Sequence, residues 1–143
     1  MTPKISIIIP SYNMVDFIEE TIQSIINQGY PNYECIVMDG GSDDGTLDIL
    51  KKYDNDIVWV SEKDKGQSEA INKGLKRATG DILAYLNADD TYESGCFHKI
   101  ADLFEKNPST KWVYGKCRII DETGREIRRL INRYRYFWQK RYS

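Results

Sequence analysis

Apolar and polar positions fall into two alternating kinds of run. Lys4 to Ile9 is a β-branched stretch ended by Pro10, and Tyr33 to Met38, Ile57 to Val60 and Ile82 to Leu86 are further short apolar runs. Each predicts a strand. Between them, apolar residues recur at helical spacing. Ile18, Ile22, Ile25 and Ile26 stop at Gly29, with Asn13 as the expected N-cap. Leu47 to Tyr53 predicts a short helix, and Ile71, Gly74, Leu75 and Ala78 mark one face of another. Phe97, Ile100, Ala101 and Phe104 mark a last helix ending near Asn107-Pro108, with the single histidine, His98, beside that face as a surface or packing residue. Strands alternating with helices predict an α/β domain with a mostly parallel sheet. Ile82 to Leu86, with Gly80-Asp81 before it and polar residues after, reads as a central strand covered on both faces. Trp112 to Ile120 and Glu126 to Ile131 flank Asp121-Glu122-Thr123-Gly124, which predicts an antiparallel hairpin added to the sheet.

Composition narrows the class. The 143 residues are 41% hydrophobic and 29% charged, enough for one domain with a real core. No apolar run approaches a membrane span, and no basic segment leads into an apolar signal region. Cys35, Cys96 and Cys117 are widely spaced with no Cys-x-x-Cys pair, which points to a reducing, cytoplasmic setting without structural zinc. The net charge of −2 is uneven. From Arg125 onward seven basic residues face one acid, so the body carries −8. An acidic body argues against nucleic acid as a partner and favours binding any diphosphate through a metal. Arg133 to Ser143 interleaves basic and aromatic residues, a pattern that suits RNA, a membrane surface or a missing protein surface, and equally an incompletely packed chain end.

The chemistry collects at the strand ends. The fourth strand runs into Asn87-Ala88-Asp89-Asp90, where carboxylates could hold Mg²⁺ or Mn²⁺ beside phosphate, or could form an Asx-type turn before the next helix. The second strand ends in Asp39-Gly40-Gly41-Ser42-Asp43-Asp44-Gly45-Thr46. Asp39 there could accept a hydrogen bond from a base or ribose, while Ser42, Asp43 and Asp44 could cap the following helix. Asp64 and Gln67 have capping-box spacing. Neither Gly-x-Gly-x-x-Gly nor Gly-x4-Gly-Lys is present, which removes the two common nucleotide-binding loops.

Four segments in order resemble the donor half of a family 2 glycosyltransferase of the GT-A fold. They are Ile7-Ile8-Ile9-Pro10-Ser11-Tyr12-Asn13; Val37 to Thr46; Asp64-Lys65-Gly66-Gln67 through Gly74; and Ala78-Thr79-Gly80-Asp81 leading to Leu86-Asn87-Ala88-Asp89-Asp90. The resemblance spans about residues 3–124. It implies a Rossmann-like three-layer α/β sandwich with a mostly parallel central sheet and a C-terminal antiparallel hairpin. It also implies a nucleotide-sugar-binding domain over residues 1–124, and over 125–143 a basic aromatic tail that starts an acceptor half.

By the same resemblance, Pro10, Ser11 and Tyr12 line the nucleotide pocket, Asp39 reads the base edge, and Asp64 and Gly66 border base and ribose. Asn72 and Ala88 complete the donor site, and Asp89 holds Mg²⁺ or Mn²⁺. Asn87 stands where the family often has the first acid of Asp-x-Asp. The implied reaction is inverting transfer of sugar from a nucleotide donor, a UDP-sugar first among them, to a polysaccharide, lipopolysaccharide or lipid-linked acceptor, with peripheral membrane association. No residue here corresponds to the catalytic base. The alternative expectation is therefore a nucleotide-binding module without catalysis.

Overall fold

The computed structural model describes residues 2–121 and 123–128, and the tail from Arg133 lies outside them. The chain forms two compact units, which divide between Pro108 and Ser109. In the first, β1 (Ile5–Ser11), β2 (Tyr33–Asp39), β3 (Val58–Ser61) and β4 (Ile82–Tyr85) make a parallel sheet in the order β3-β2-β1-β4. Helices α1 (Ile18–Ile26), α2 (Thr46–Lys52), α3 (Gln67–Arg77) and α4 (Cys96–Lys106) form the crossovers and the approach to Pro108.

Strand alternation sorts the helices into layers. Ile5, Ile7, Ile9, Cys35, Val37 and Ile82 point to one face, where they pack with Ile18, Ile22 and Ile25 of α1, Leu50 of α2 and Phe97 of α4. Ile8, Ile36 and Met38 point to the other, against Ala70 of α3. The three-layer α/β architecture is thus as expected.

Several boundaries differ from expectation for physical reasons. Pro10 does not end β1, which runs on to Ser11. Its partner on one side is Met38, and β4 has already stopped opposite Ile8, so the missing N–H interrupts no ladder. Asn13 is not the cap of α1. It takes a left-handed φ of 52°, and α1 begins at Ile18 after Phe17. Asp64 and Gln67 form no capping box, because Gly66 precedes the helix and the Gln67 side chain reaches elsewhere. The buried face of α3 is Ala70 and Gly74, with Leu75 36% exposed. β4 lies at the sheet edge among the described strands, with Leu83 53% and Tyr85 60% exposed rather than covered.

The second unit contains β5 (Ile119–Ile120) and β6 (Glu126–Ile127), an antiparallel pair that forms its own two-stranded sheet. Among the described residues the expected hairpin is therefore present as a two-residue pairing in a sheet of its own, and the last part of its expected second strand, residues 129–131, lies outside them. The Asp121 carboxylate shapes its turn by accepting the Thr123 and Arg125 N–H groups.

Candidate functional site

Strand order reverses at β1. The chain moves outward through β2 and β3, then returns to place β4 on the other side of β1. In open parallel sheets the crevice at such a reversal, beyond the carboxyl ends of the strands, is where ligands bind. Here it holds a cavity of about 720 Å³.

Its walls come from four segments. The end of β1 supplies Pro10, Ser11 and Tyr12, and the turn after β2 supplies Gly40 and Gly41. The loop into α3 supplies Lys63, Asp64, Gly66 and Gln67. Asn87, Ala88 and Asp89 close the cavity after β4. Seven of the nine expected site residues, Pro10, Ser11, Tyr12, Asp64, Gly66, Ala88 and Asp89, are brought together here. Asp39 and Asn72 are not on the wall.

Asp39 lies beneath it. Register aligns Ser11, Asp39 and Ser61 side by side at the ends of three adjacent strands. Asp39 is 1% exposed, and its Oδ2 accepts the Gly41 N–H at 3.0 Å, the Ser42 N–H at 2.9 Å and the Ser61 hydroxyl at 2.6 Å. Oδ1 accepts the Ser42 hydroxyl. The carboxylate thus folds the glycine turn inward. That turn is stitched to the β1–α1 loop through the Asn13 N–H, which donates to Ser42 Oγ, and the Met14 N–H, which donates to Thr46 Oγ1.

Ser11 behaves differently. It is 5% exposed and lines the cavity, and its Oγ is the buried side-chain oxygen without a partner among the described residues. A buried hydroxyl left unpaired is costly, so Ser11 has bonding capacity that water or a ligand in the cavity can take up.

The Tyr12 ring is 60% exposed at the cavity edge. A Cβ on Gly40 would sit 3.4 Å from Tyr12 Cδ2 and 3.2 Å from Asp64 Oδ2, so glycine keeps open a flat gap between ring and carboxylate. Asp64 Oδ1 accepts the Gly66 N–H at 2.7 Å, and that bond shapes the turn before α3.

Asp89, an exposed residue, also lines the cavity. Asp90 does not line the cavity, and its Oδ2 accepts the Asn87 side-chain N–H at 3.0 Å. Among the described residues, no group of three or more His, Cys, Asp or Glu is gathered as a metal cage. The carboxylates that do line the wall, Asp64 and Asp89, fit a hard cation that takes one or two carboxylates and draws its remaining ligands from water and phosphate. Mg²⁺ and Mn²⁺ arriving with a diphosphate fit that description.

Sequence reasoning missed Thr21 and Ser24 on α1 and Gln28 just past its end, whose side chains reach the backbone between β4 and α4. Their i, i+3, i+7 spacing beside the isoleucines of that helix was the available signal.

A parallel sheet with its cavity at the strand reversal, lined by glycine turns and by the acids Asp64 and Asp89, defines an α/β domain of the GT-A type. The chain belongs to glycosyl transferase family 2, whose family model matches residues 6–143. TuaG of Bacillus subtilis, a glycosyltransferase whose name assigns it to teichuronic acid biosynthesis, is 39% identical over 102 residues, covering 68% of this chain and 40% of TuaG. The chain thus spans less than half the length of that relative. Among solved structures, Staphylococcus aureus TarS in complex with UDP-GlcNAc matches with a TM-score of 0.70 at 23% identity, covering 82% of this chain and 40% of that one. Mannosyltransferase PcManGT from Pyrobaculum calidifontis, in complex with GDP-Man and Mn²⁺, matches with a TM-score of 0.67 at 27% identity, covering 85% and 36%. Among the described residues, no helix is long and apolar enough to cross a membrane.

Proposed function

We propose that this cavity binds a nucleotide-sugar donor together with Mg²⁺ or Mn²⁺, and that the domain serves glycosyl transfer to a polysaccharide, lipopolysaccharide or lipid-linked acceptor. The observation that carries the proposal is the buried, unpartnered hydroxyl of Ser11, a residue that lines the cavity at the sheet's reversal point. PcManGT, with GDP-Man and Mn²⁺ in its structure, and the biosynthetic name of TuaG support the donor, cation and acceptor classes.

In this reading the base enters the gap over Gly40 and lies against the Tyr12 ring, with Pro10 beside it. Asp64 Oδ2 accepts an N–H from the base edge, which selects a ring that carries one, uracil first. Asp39 acts on the base from below, by holding the Gly41–Ser42 turn. Gly66 borders the ribose. Ser11 donates to the nucleotide, Ala88 packs under the diphosphate, and Asp89 holds the cation. Asn72 is exposed on α3 and sits outside this contact set.

The cation, when bound, offsets negative charge on the departing nucleoside diphosphate. The residues of this chain bind and orient the donor so that an acceptor hydroxyl can attack the anomeric carbon in line, with inversion. The proton acceptor for that hydroxyl is assigned to no residue here.

Calorimetric titration with UDP, GDP and ADP, in chelator and in Mn²⁺, tests the proposal. UDP binding should strengthen markedly with Mn²⁺, and Asp89→Asn should remove most of that gain. Ser11→Ala should weaken binding in both conditions by about 0.5–1.5 kcal/mol. Equal UDP affinity with and without metal would overturn the metal-dependent donor site.

A further inference from the structure

Thr21 lies in the middle of α1, fully buried, and its hydroxyl is 2.8 Å from the Ala88 carbonyl oxygen and 2.9 Å from that of Asp90. Those two carbonyls bracket Asp89. Threonine in a helix commonly turns its hydroxyl back to its own backbone. Here it serves a loop 67 residues further along the chain. Ser24, one turn on, accepts the Tyr92 N–H at 3.1 Å. Gln28, another turn on and 5% exposed, donates to the Glu93 carbonyl at 3.1 Å and accepts the Phe97 N–H at 3.3 Å. One stripe of α1 and the turn after it thus holds the connection from β4 to α4 at Ala88, Asp90, Tyr92 and Glu93.

We propose that Thr21 is a positioning residue for the cation: its hydroxyl, sharing one proton between the Ala88 and Asp90 carbonyls that bracket Asp89, fixes the backbone that holds Asp89 on the cavity wall. The inference rests on the reading of Asp89 as the cation ligand. A short loop without a clamp would sample many backbone directions, and ordering it would weaken binding. A buried hydroxyl whose single proton is shared between the two bracketing carbonyls lowers that cost before the cation arrives. Ala88, 2% exposed, anchors the same loop in the core, while Asp89 stays exposed.

The test is Mn²⁺ titration with UDP present, following free Mn²⁺ by electron paramagnetic resonance, beside melting temperature and UDP affinity in chelator. Thr21→Val keeps the side-chain shape and removes the donor. It should weaken Mn²⁺ binding by about tenfold, the scale seen when a ligand's supporting contact is lost, and leave metal-free UDP affinity within about twofold. Thr21→Ser, which restores the hydroxyl, should bind Mn²⁺ nearly as the parent does. Glu34→Gln, at the opposite end of the sheet, should lower melting temperature without changing Mn²⁺ affinity, which separates positioning from stability. Thr21→Ala replaces the valine variant if that one does not fold. Parent-like Mn²⁺ affinity in Thr21→Val, alongside a loss in Asp89→Asn, would overturn the role of Thr21 alone. Parent-like affinity in Asp89→Asn would overturn the cation reading and this inference with it.

Discussion

The side-chain amide of Gln67, the first residue of α3, donates to the side-chain oxygen of Asn87 at 2.7 Å. That bond joins two walls of the cavity across 20 residues of sequence. Asn87 passes the link on by donating to Asp90. Both bonds are exposed, so each should contribute at the low end of about 0.5–1.5 kcal/mol. Gln67→Ala should therefore weaken donor binding less than about tenfold by calorimetry, with little change in melting temperature.

Asn87→Asp gives the sharper outcome. The substituted carboxylate still accepts from Gln67, but it faces the Asp90 carboxylate with no hydrogen to share. Like charges so close disfavour ionisation of one partner unless a cation intervenes. The variant should melt below the parent in chelator and recover with Mn²⁺, so its metal-induced rise in melting temperature should exceed the parent's. An equal rise in both proteins would show that Asp90 is not coupled to this position.

For Asp39, buried beneath the glycine turn with four donors on its carboxylate, the expected cost is structural as well as functional. Asp39→Ala strands two N–H groups and two hydroxyls, each worth about 1–3 kcal/mol when left unpaired. Melting temperature should fall, and affinity for UDP, GDP and ADP should fall together. A loss confined to one base, at unchanged stability, would instead make Asp39 a direct reader of the base edge.

The β–α alternation and the acids after β2 and β4 were legible because hydrophobic runs and turn residues are local signals. What was not legible depends on partners distant in sequence. Pro10 could remain in β1 only because β4 stops at Tyr85, opposite Ile8, a fact of register. Gln67 left its expected capping role because Asn87 competes for its amide. Ile82 to Leu86 looked central because it is apolar, yet its odd-numbered residues Leu83 and Tyr85 lie exposed beside the sheet edge. Asp39 and Asp64 read alike as acids near a strand end. Hydrogen-bond geometry separates the one turned into the loop from the one facing the cavity.

At the far end of the sheet, Glu34 ties three segments together. It accepts from Lys4 Nζ at 2.8 Å, from the Thr79 N–H at 2.7 Å and from the Ser6 hydroxyl. Burial pushes its carboxyl up, but the hydrogen bonds from Lys4, Ser6 and Thr79 outweigh that and bring it down to about 2 from 4.5. A carboxyl depressed in the folded state stabilises above its unfolded value and loses that contribution as pH falls toward the folded one. Glu34→Gln should cost about 1–2 kcal/mol near neutral pH, discounted for solvent screening of a partly open site. In denaturant titrations the gap between parent and variant should shrink from pH 4.5 down to about 2. A gap that stays constant across that window would show that ionised Glu34 adds nothing to the network.

The tightest packing under the cavity is at Gly74, where α3 crosses the sheet. A Cβ there would lie 2.5 Å from Ile8 Cγ2, 3.0 Å from Ile8 Cγ1 and 3.2 Å from Met38 Cγ. Ile8 is fully buried in the central strand and Met38 nearly so in its neighbour, so neither has room to retreat. Gly74→Ala must therefore lift α3 from the sheet or force those side chains off their rotamers, at about 1–3 kcal/mol. Alanine's better helix propensity returns less than about 1 kcal/mol of that. The displacement should also reach the cavity, because Gly66, Gln67 and Ala70 line it from the same helix and its approach. Gly74→Ala should thus lower melting temperature and weaken UDP binding in chelator as well as in Mn²⁺, with the ratio between the two conditions unchanged. Ile8→Val in the same background removes one methyl from the clash and should restore part of both losses. Parent-like stability in Gly74→Ala would mean that α3 can move freely over β1, and that its seat on Ile8 does not set the position of the Gly66–Gln67 wall.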